Sequence, residues 1–169
     1  MANSSFISKA KNKIIKEFIK DADILKAIDS STLTINQREK HIGTHIFDYH
    51  QNPETLTDVD TFITVQVHIP EIRQRYGDDS VSVFVKPTIE IWIISHQRHM
   101  KVDNIPKITA NRNDYLSQLI DDKLNGRSDF GINDLKLMSN LEGAVQRDYL
   151  YRTLLFQGMD LNDSLCEDE

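Results

Sequence analysis

The stretch TIEIWIISHQRHM, residues 88–100, decides how this chain is read. Ile89, Ile91 and Ile93 form one row, and Glu90, Trp92 and Ile94 the other, which is the two-residue period of a β-strand. Both rows are largely apolar, so the segment is expected to be a central strand covered on both sides. It then runs into His96, Arg98 and His99. Either these side chains deliver metal ligands or a catalytic base to a site, or they form the wet end of a sheet that meets other molecules. The second reading is preferred, because nothing elsewhere in the chain completes a site.

Working outward, TFITVQVHI (61–69) sets Ile63, Val65, Val67 and Ile69 against Thr64, Gln66 and His68, the pattern of a half-buried strand that Pro70 ends. SVSVFVK (80–86) repeats the pattern after the turn YGDDS, and Pro87 marks a bulge, a kink or an edge position because it cannot donate to a ladder. LKLMS (135–139) and DYLYRTLLFQ (148–157) predict two more strands around the turn NLEGAVQ.

Two helices are expected. Over residues 4–29 the stripe Ile7, Ala10, Ile14, Phe18, Ala22, Leu25 and Ile28 has helical spacing, with Ser4 or Ser5 as cap and four lysines, Lys9, Lys13, Lys16 and Lys20, off the stripe. Over 111–125 the stripe is Tyr115, Leu116, Leu119, Ile120 and Leu124, closed by Asn125-Gly126. Long connections at 30–60, which include HIFDYHQNPETLTDVD, and at 97–110 are expected to reach a neighbour, since long structureless loops are uncommon in compact domains. The expected fold class is α+β, a mostly antiparallel sheet of about 4–5 strands flanked by helices. One domain spans 1–159, and an acidic tail covers 160–169.

Composition bounds the function. With 169 residues, 39% hydrophobic and 27% charged, the chain suffices for one core. Cys166 is alone, so a disulfide-stapled scaffold is excluded and a reducing compartment fits. No run approaches the length a membrane span needs, and MANSSFISKAKNKIIKEF lacks the apolar core of an export signal. The net charge of −6 is concentrated in DLNDSLCEDE, which holds five acids and no base, whereas residues 1–20 hold five lysines and one Glu17. Oppositely charged ends can assist association between copies, although a solvated acidic tail is the commoner explanation of such a terminus, and no strongly basic surface points to sequence-specific nucleic-acid binding.

Metal and catalytic chemistry find little support. His41 and His45 have the i, i+4 spacing of helix-borne ligands, with Asp48 nearby, but Gly43 and Pro53 weaken a helix there. Zinc needs three or four converging ligands. Asp121 and Asp122 point about 100° apart on a helix, and Asp78-Asp79 follows Gly77 in a turn, so neither pair reads as paired catalytic carboxylates. GxSxG, HExxH, CxxC and a glycine-rich phosphate loop are all absent from the sequence. No enzyme, cofactor or metal is therefore expected; the different-class rival is a metal protein or enzyme using His41, His45, His68, His96 and His99.

The segment NRNDYLSQLIDDKLNGRSDFGINDLKLMSNLEGAVQRDYLYRTLLFQGMDLN resembles the C-terminal half of bacteriophage neck and tail-completion proteins. The elements that carry the resemblance are Leu124 to Gly126, Phe130-Gly131, Leu135 to Leu137, Ser139-Asn140, Arg152 to Phe156 and Asp160 to Asn162. Upstream, the segments beginning HIFDYH and TIEIW look like that family's opening strands, so the likeness extends from about Ile14 to Asn162. It implies a virion protein assembled in the host cytoplasm: a tail terminator or neck subunit forming a ring, commonly a hexamer, on the end of the tail tube. Such a ring stops tube growth, meets the tail tube protein and the head–tail connector, and lets DNA pass through it. A head-side connector or stopper is the neighbouring alternative. Phe47, Tyr49, Trp92, His96, Arg98 and His99 are then the candidate intersubunit residues, with Phe47, Tyr49 and Trp92 as anchors.

Overall fold

The computed structural model describes residues 5–51, 59–69, 72–77, 80–85, 87–130 and 134–158, the segments between 72 and 85 by backbone alone. The expected acidic tail, Pro53 and the Asp78-Asp79 pair lie outside the described residues. Five strands form one mixed sheet in the order β1 (Ile46–Phe47), β2 (Thr61–His68), β5 (Thr88–His96), β7 (Tyr149–Gly158), β6 (Leu135–Val145). Every neighbouring pair is antiparallel except β1, which runs parallel to β2. Between β2 and β5 in the chain, β3 (Ile72–Gly77) and β4 (Ser80–Val85) pair with each other as a separate two-stranded ribbon.

The α+β class and the flanking helices hold. Segment 88–96 is the central strand, flanked by β2 and β7. Three helices pack on the face that carries Ile89, Ile91 and Ile93: α1 (Ser5–Lys20), α2 (Ala22–Ile28) and α3 (Arg112–Leu124). Their buried stripes, including Ile14, Phe18, Ile24, Ile28, Leu116 and Ile120, close a single, mostly aliphatic core with Ile63, Val65, Leu154 and Phe156. Each such side chain taken from water contributes about 1.5–3 kcal/mol before conformational entropy is subtracted.

Several local features depart from the sequence reading. The single helix expected over 4–29 is two helices, because Asp21 takes an extended backbone and its carboxylate accepts from the N–H groups of Asp23 and Ile24 at 2.9 and 3.3 Å. This is an N-cap, and it restarts the helix without interrupting the apolar stripe. The expected turn NLEGAVQ is mostly strand: β6 stays paired with β7 through Val145, bulges at Met138, and turns only from Gln146, with its positive φ of 62°. The connection at 30–60 holds a 3-10 turn (Arg38–His41) and the two-residue β1, and Ile72–Gly77 is a strand that the sequence reading did not separate from its neighbours. Pro87 sits between β4 and β5, where its carbonyl accepts from the Gly158 N–H at 3.1 Å and its missing donor costs nothing. Asn111 caps α3 by accepting from the Asp114 N–H, and Gly126 just beyond the helix has a φ of +78°.

Candidate functional site: the open face of the sheet

Strand alternation sends Phe62 and Thr64 of β2, Glu90, Trp92 and Ile94 of β5, and Tyr149 and Tyr151 of β7 to the face away from the helices. Aromatic rings replace helices as its cover. Phe47, Phe62, Ile94 and Tyr149 are buried together, with Trp92 and Tyr151 half-buried against them. Trp92 lies 4.6 Å from Tyr151 between ring centroids and 5.1 Å, edge-on, from His50. Phe47 meets Tyr49 edge-on at 5.4 Å, and Tyr49 is 53% exposed at the margin. Tilted and edge-on rings at these separations are favourable beyond the area they bury.

Glu90 joins the polar groups around Trp92, whereas the buried Thr64 hydroxyl has no partner among the described residues. Trp92 Nε1 donates to Glu90 Oε1 at 2.9 Å, and the other oxygen of Glu90 meets His68 Nε2 at 3.1 Å. The β6 side depends on a glycine: a Cβ at Gly143 would stand 2.6 Å from the Tyr151 hydroxyl oxygen and 2.8 Å from a ring carbon. Tyr151 thus lies flat across β6 because its neighbour has no side chain.

The helix-side end of the sheet holds a second cluster, buried and polar. His45 Nε2 meets Asp60 Oδ2 at 3.1 Å, and Asp60 also accepts from the Thr61 N–H and the Ser31 hydroxyl. His99 Nδ1, Thr61 Oγ1, Ser95 Oγ and Asn113 Oδ1 follow one another at 2.9, 2.9 and 2.6 Å. The Ser95 hydroxyl donates to Asn113, so one consistent set of donors runs from His99 N–H through Thr61 and Ser95. Arg112, 1% exposed, donates to the carbonyls of Ala27, His99 and Lys101 at 2.6, 2.6 and 2.7 Å and to the Asp29 carboxylate at 3.1 Å. It ties the irregular 97–111 segment to the end of α2.

Charges in this cluster are displaced from their ordinary values. Burial, joined by the Arg112 charge, pushes the His99 imidazole down against the pull of Asp60 and Asp29. Burial, joined by the charge of His45, does the same to His41. Burial pushes Asp60 up, but the hydrogen bond and charge of His45 with the N–H groups of Thr61 and Ser31 outweigh it and leave the carboxyl low. His41 and His45 stand 5.2 Å apart with both Nδ1 atoms buried and unpartnered among the described residues. A cleft of about 410 Å³ lies beside α3, where Arg152 bridges Asp114 to Glu142. Two carboxylates meet one terminal nitrogen of Arg152 and Asn140 accepts from the other, while its Nε is buried without a partner among the described residues.

Of the residues singled out in the sequence, Phe47, Tyr49, Trp92 and His96 share the open face, and His96 stands edge-on to Tyr149 at 5.1 Å. Arg98 is exposed in the 3-10 turn that follows β5, and His99 turns to the polar cluster on the other face. The five candidate histidines separate into buried His41 and His45, His99 near them, and His68 and His96 on the open face. Among the described residues no three His, Cys, Asp or Glu side chains are gathered to hold a metal ion, and no helix is long and apolar enough to cross a membrane. Sequence reasoning missed Asp60, Arg112 and Tyr151. Arg112 gave one signal, a charged residue at the first turn of a helix, and that position normally faces water.

Against known proteins, a family model described as YomW matches residues 12–157. No curated protein matches the chain.

Proposed function

Because the chain belongs to the YomW family, a phage-associated family named after a Bacillus phage or prophage gene, we propose that it is a structural subunit of a phage particle. More finely, it is a tail terminator or neck protein whose copies form a ring, commonly a hexamer, on the tail tube, stop its growth and join it to the head connector. The observation that carries this reading is the open sheet face, an aromatic platform with Tyr49 exposed at its rim and, among the described residues, no helix over it. Aromatic side chains are enriched at interface anchors because they bury large area at low entropic cost. An edge strand, β6, and a separate two-stranded ribbon, β3 with β4, add further contact surface to the same subunit. Rings require head-to-tail contacts that close by rotation, and these elements lie at different places on the sheet.

Light scattering tests the ring. The native mass is expected to be a multiple of the 19.5 kDa chain, six-fold in the favoured case. Trp92→Ala is expected to lower that mass more than it lowers the melting temperature; equal losses would assign Trp92 to ordinary packing. Addition of the ring to growing tail tubes is expected to fix their length.

A further inference from the structure

The acidic segment 160–169 and the lysines of α1 are opposite in charge, and the fold adds two facts that the sequence does not supply. The first is alignment. At 100° per residue, Lys9, Lys13, Lys16 and Lys20 fall within about 60° of one another around α1. All four are exposed, on the side of the helix opposite the buried Ile14 and Phe18. Lys13 meets Asp129 at 3.7 Å and Lys20 meets Glu17 at 3.2 Å, exposed pairs of a kind that contributes little. Lys16 has no carboxylate partner among the described residues.

The second is position. Strand β7 closes at Gly158, which pairs with Leu135. The Leu135 N–H donates to the Arg127 carbonyl at 3.0 Å, and the Arg127 guanidinium meets Glu17 of α1 at 3.1 Å. Segment 160–169 therefore starts two residues beyond a point that three contacts join to the lysine stripe. Ten extended residues reach at most about 33–36 Å, and the stripe from Lys9 to Lys20 is about 16.5 Å long. The segment is thus long enough to lie along the stripe within the same chain, and it carries Asp160, Asp163, Glu167, Asp168 and Glu169 with no base among them. We infer that segment 160–169 docks on the lysine stripe of α1 in its own subunit, its carboxylates pairing with Lys9, Lys13, Lys16 and Lys20. Each pair alone is weak, but a segment tethered at Gly158 is held at a high effective concentration, which offsets the weakness. The basic face of α1 is thereby covered in a single subunit, whether or not copies form a ring.

Cys166 is the only cysteine of the chain and lies within the segment, so an uncharged maleimide dye marks the segment alone. The anisotropy of that dye on the full chain is expected to be high at low salt and to fall by about half or more as salt screens the pairs. Lys16→Glu with Lys20→Glu, both at exposed positions, is expected to give the lowered value already at low salt. Asp163→Lys with Glu167→Lys in the same chain is expected to restore it. Circular dichroism verifies that these variants fold. Carbodiimide coupling, which joins carboxylates to amines they touch, is expected to link the segment to α1 lysines within one chain when isotope-labelled and unlabelled copies are mixed. An anisotropy that is low at every salt concentration shows a solvated segment and overturns the inference. So does a salt-sensitive anisotropy that the lysine reversals leave unchanged. Coupling found only between copies also overturns it, and places the acidic segment on a neighbour instead.

Discussion

Ile93 and Ile94 are neighbours in β5, both wholly buried, yet they are covered by different material. Ile93 lies under helices, in a core of aliphatic side chains delivered by three elements with regular stripes. Ile94 lies under Phe47, Phe62 and Tyr149, rings that come from strands of the same sheet. The first cover is itself braced, because α2 packs on both α1 and α3. The second is one layer of side chains thick, and the outer surfaces of Trp92, Tyr151 and Tyr49 remain accessible. A sheet closed in this way has one face under helices and one that, among the described residues, is covered by a single layer of rings.

The largest effect should come from the helix-covered face. Phe18→Ala removes a fully buried ring between α1 and the sheet, and a loss of about 3–5 kcal/mol is expected in urea unfolding. Such a loss consumes much of a marginal stability, so the variant is expected to melt far below the wild type. A cost as small as that of an exposed substitution would mean that the helix layer does not close the core.

A smaller and more local effect is expected at the open face. Gly143→Ala sets a methyl group where the Tyr151 ring lies, and the ring must lift from β6. Overpacking of this kind costs about 1–3 kcal/mol. Tyr151 also packs, tilted, against Trp92, so tryptophan fluorescence is expected to shift along with the stability. An unchanged spectrum would separate Tyr151 from the Trp92 platform and break the account of how that face is closed.

How much of this was legible depends on which chemistry wrote it. The core strand at 88–96 and both apolar helix stripes were readable because periodicity and burial are the same fact seen twice. The break at Asp21 was not, since an aspartate on the wet side of a stripe looks the same whether it caps a helix or merely rides on it. Strand β6 was cut short for a related reason: NLEGAVQ has a glycine and few strong strand formers, and only its ten-residue partner β7 holds it extended. For the candidate site, Trp92, Phe47 and Tyr49 could be named from their size, but Tyr151 and Gly143 become partners only through the β6–β7 register. The polar cluster was invisible. His45, Asp60, Thr61, Ser95, Asn113 and His99 come from segments spread over much of the chain, and nothing in their spacing announces that they meet.

The smallest predicted effect also separates the two ends of the comparison, through pH. His41 and His99 have folded pKa values below the ordinary 6.5, chiefly because burial disfavours their charged forms. The unfolded chain therefore takes up protons that the folded chain refuses, so the stability they contribute is complete above about pH 6.5 and falls as the pH drops through the folded values. Asp60, held below its ordinary 3.8 by His45, adds a second loss at still lower pH. Urea midpoints measured from neutral pH down to about pH 4 are expected to decline for the wild type and to decline less steeply for His41→Gln and His99→Gln. Trp92→Ala, on the open face, is expected to lower the whole curve and keep its slope. If Trp92→Ala flattens the slope as much as the histidine variants do, the acid sensitivity does not reside in the buried cluster, and the division of labour between the two faces fails.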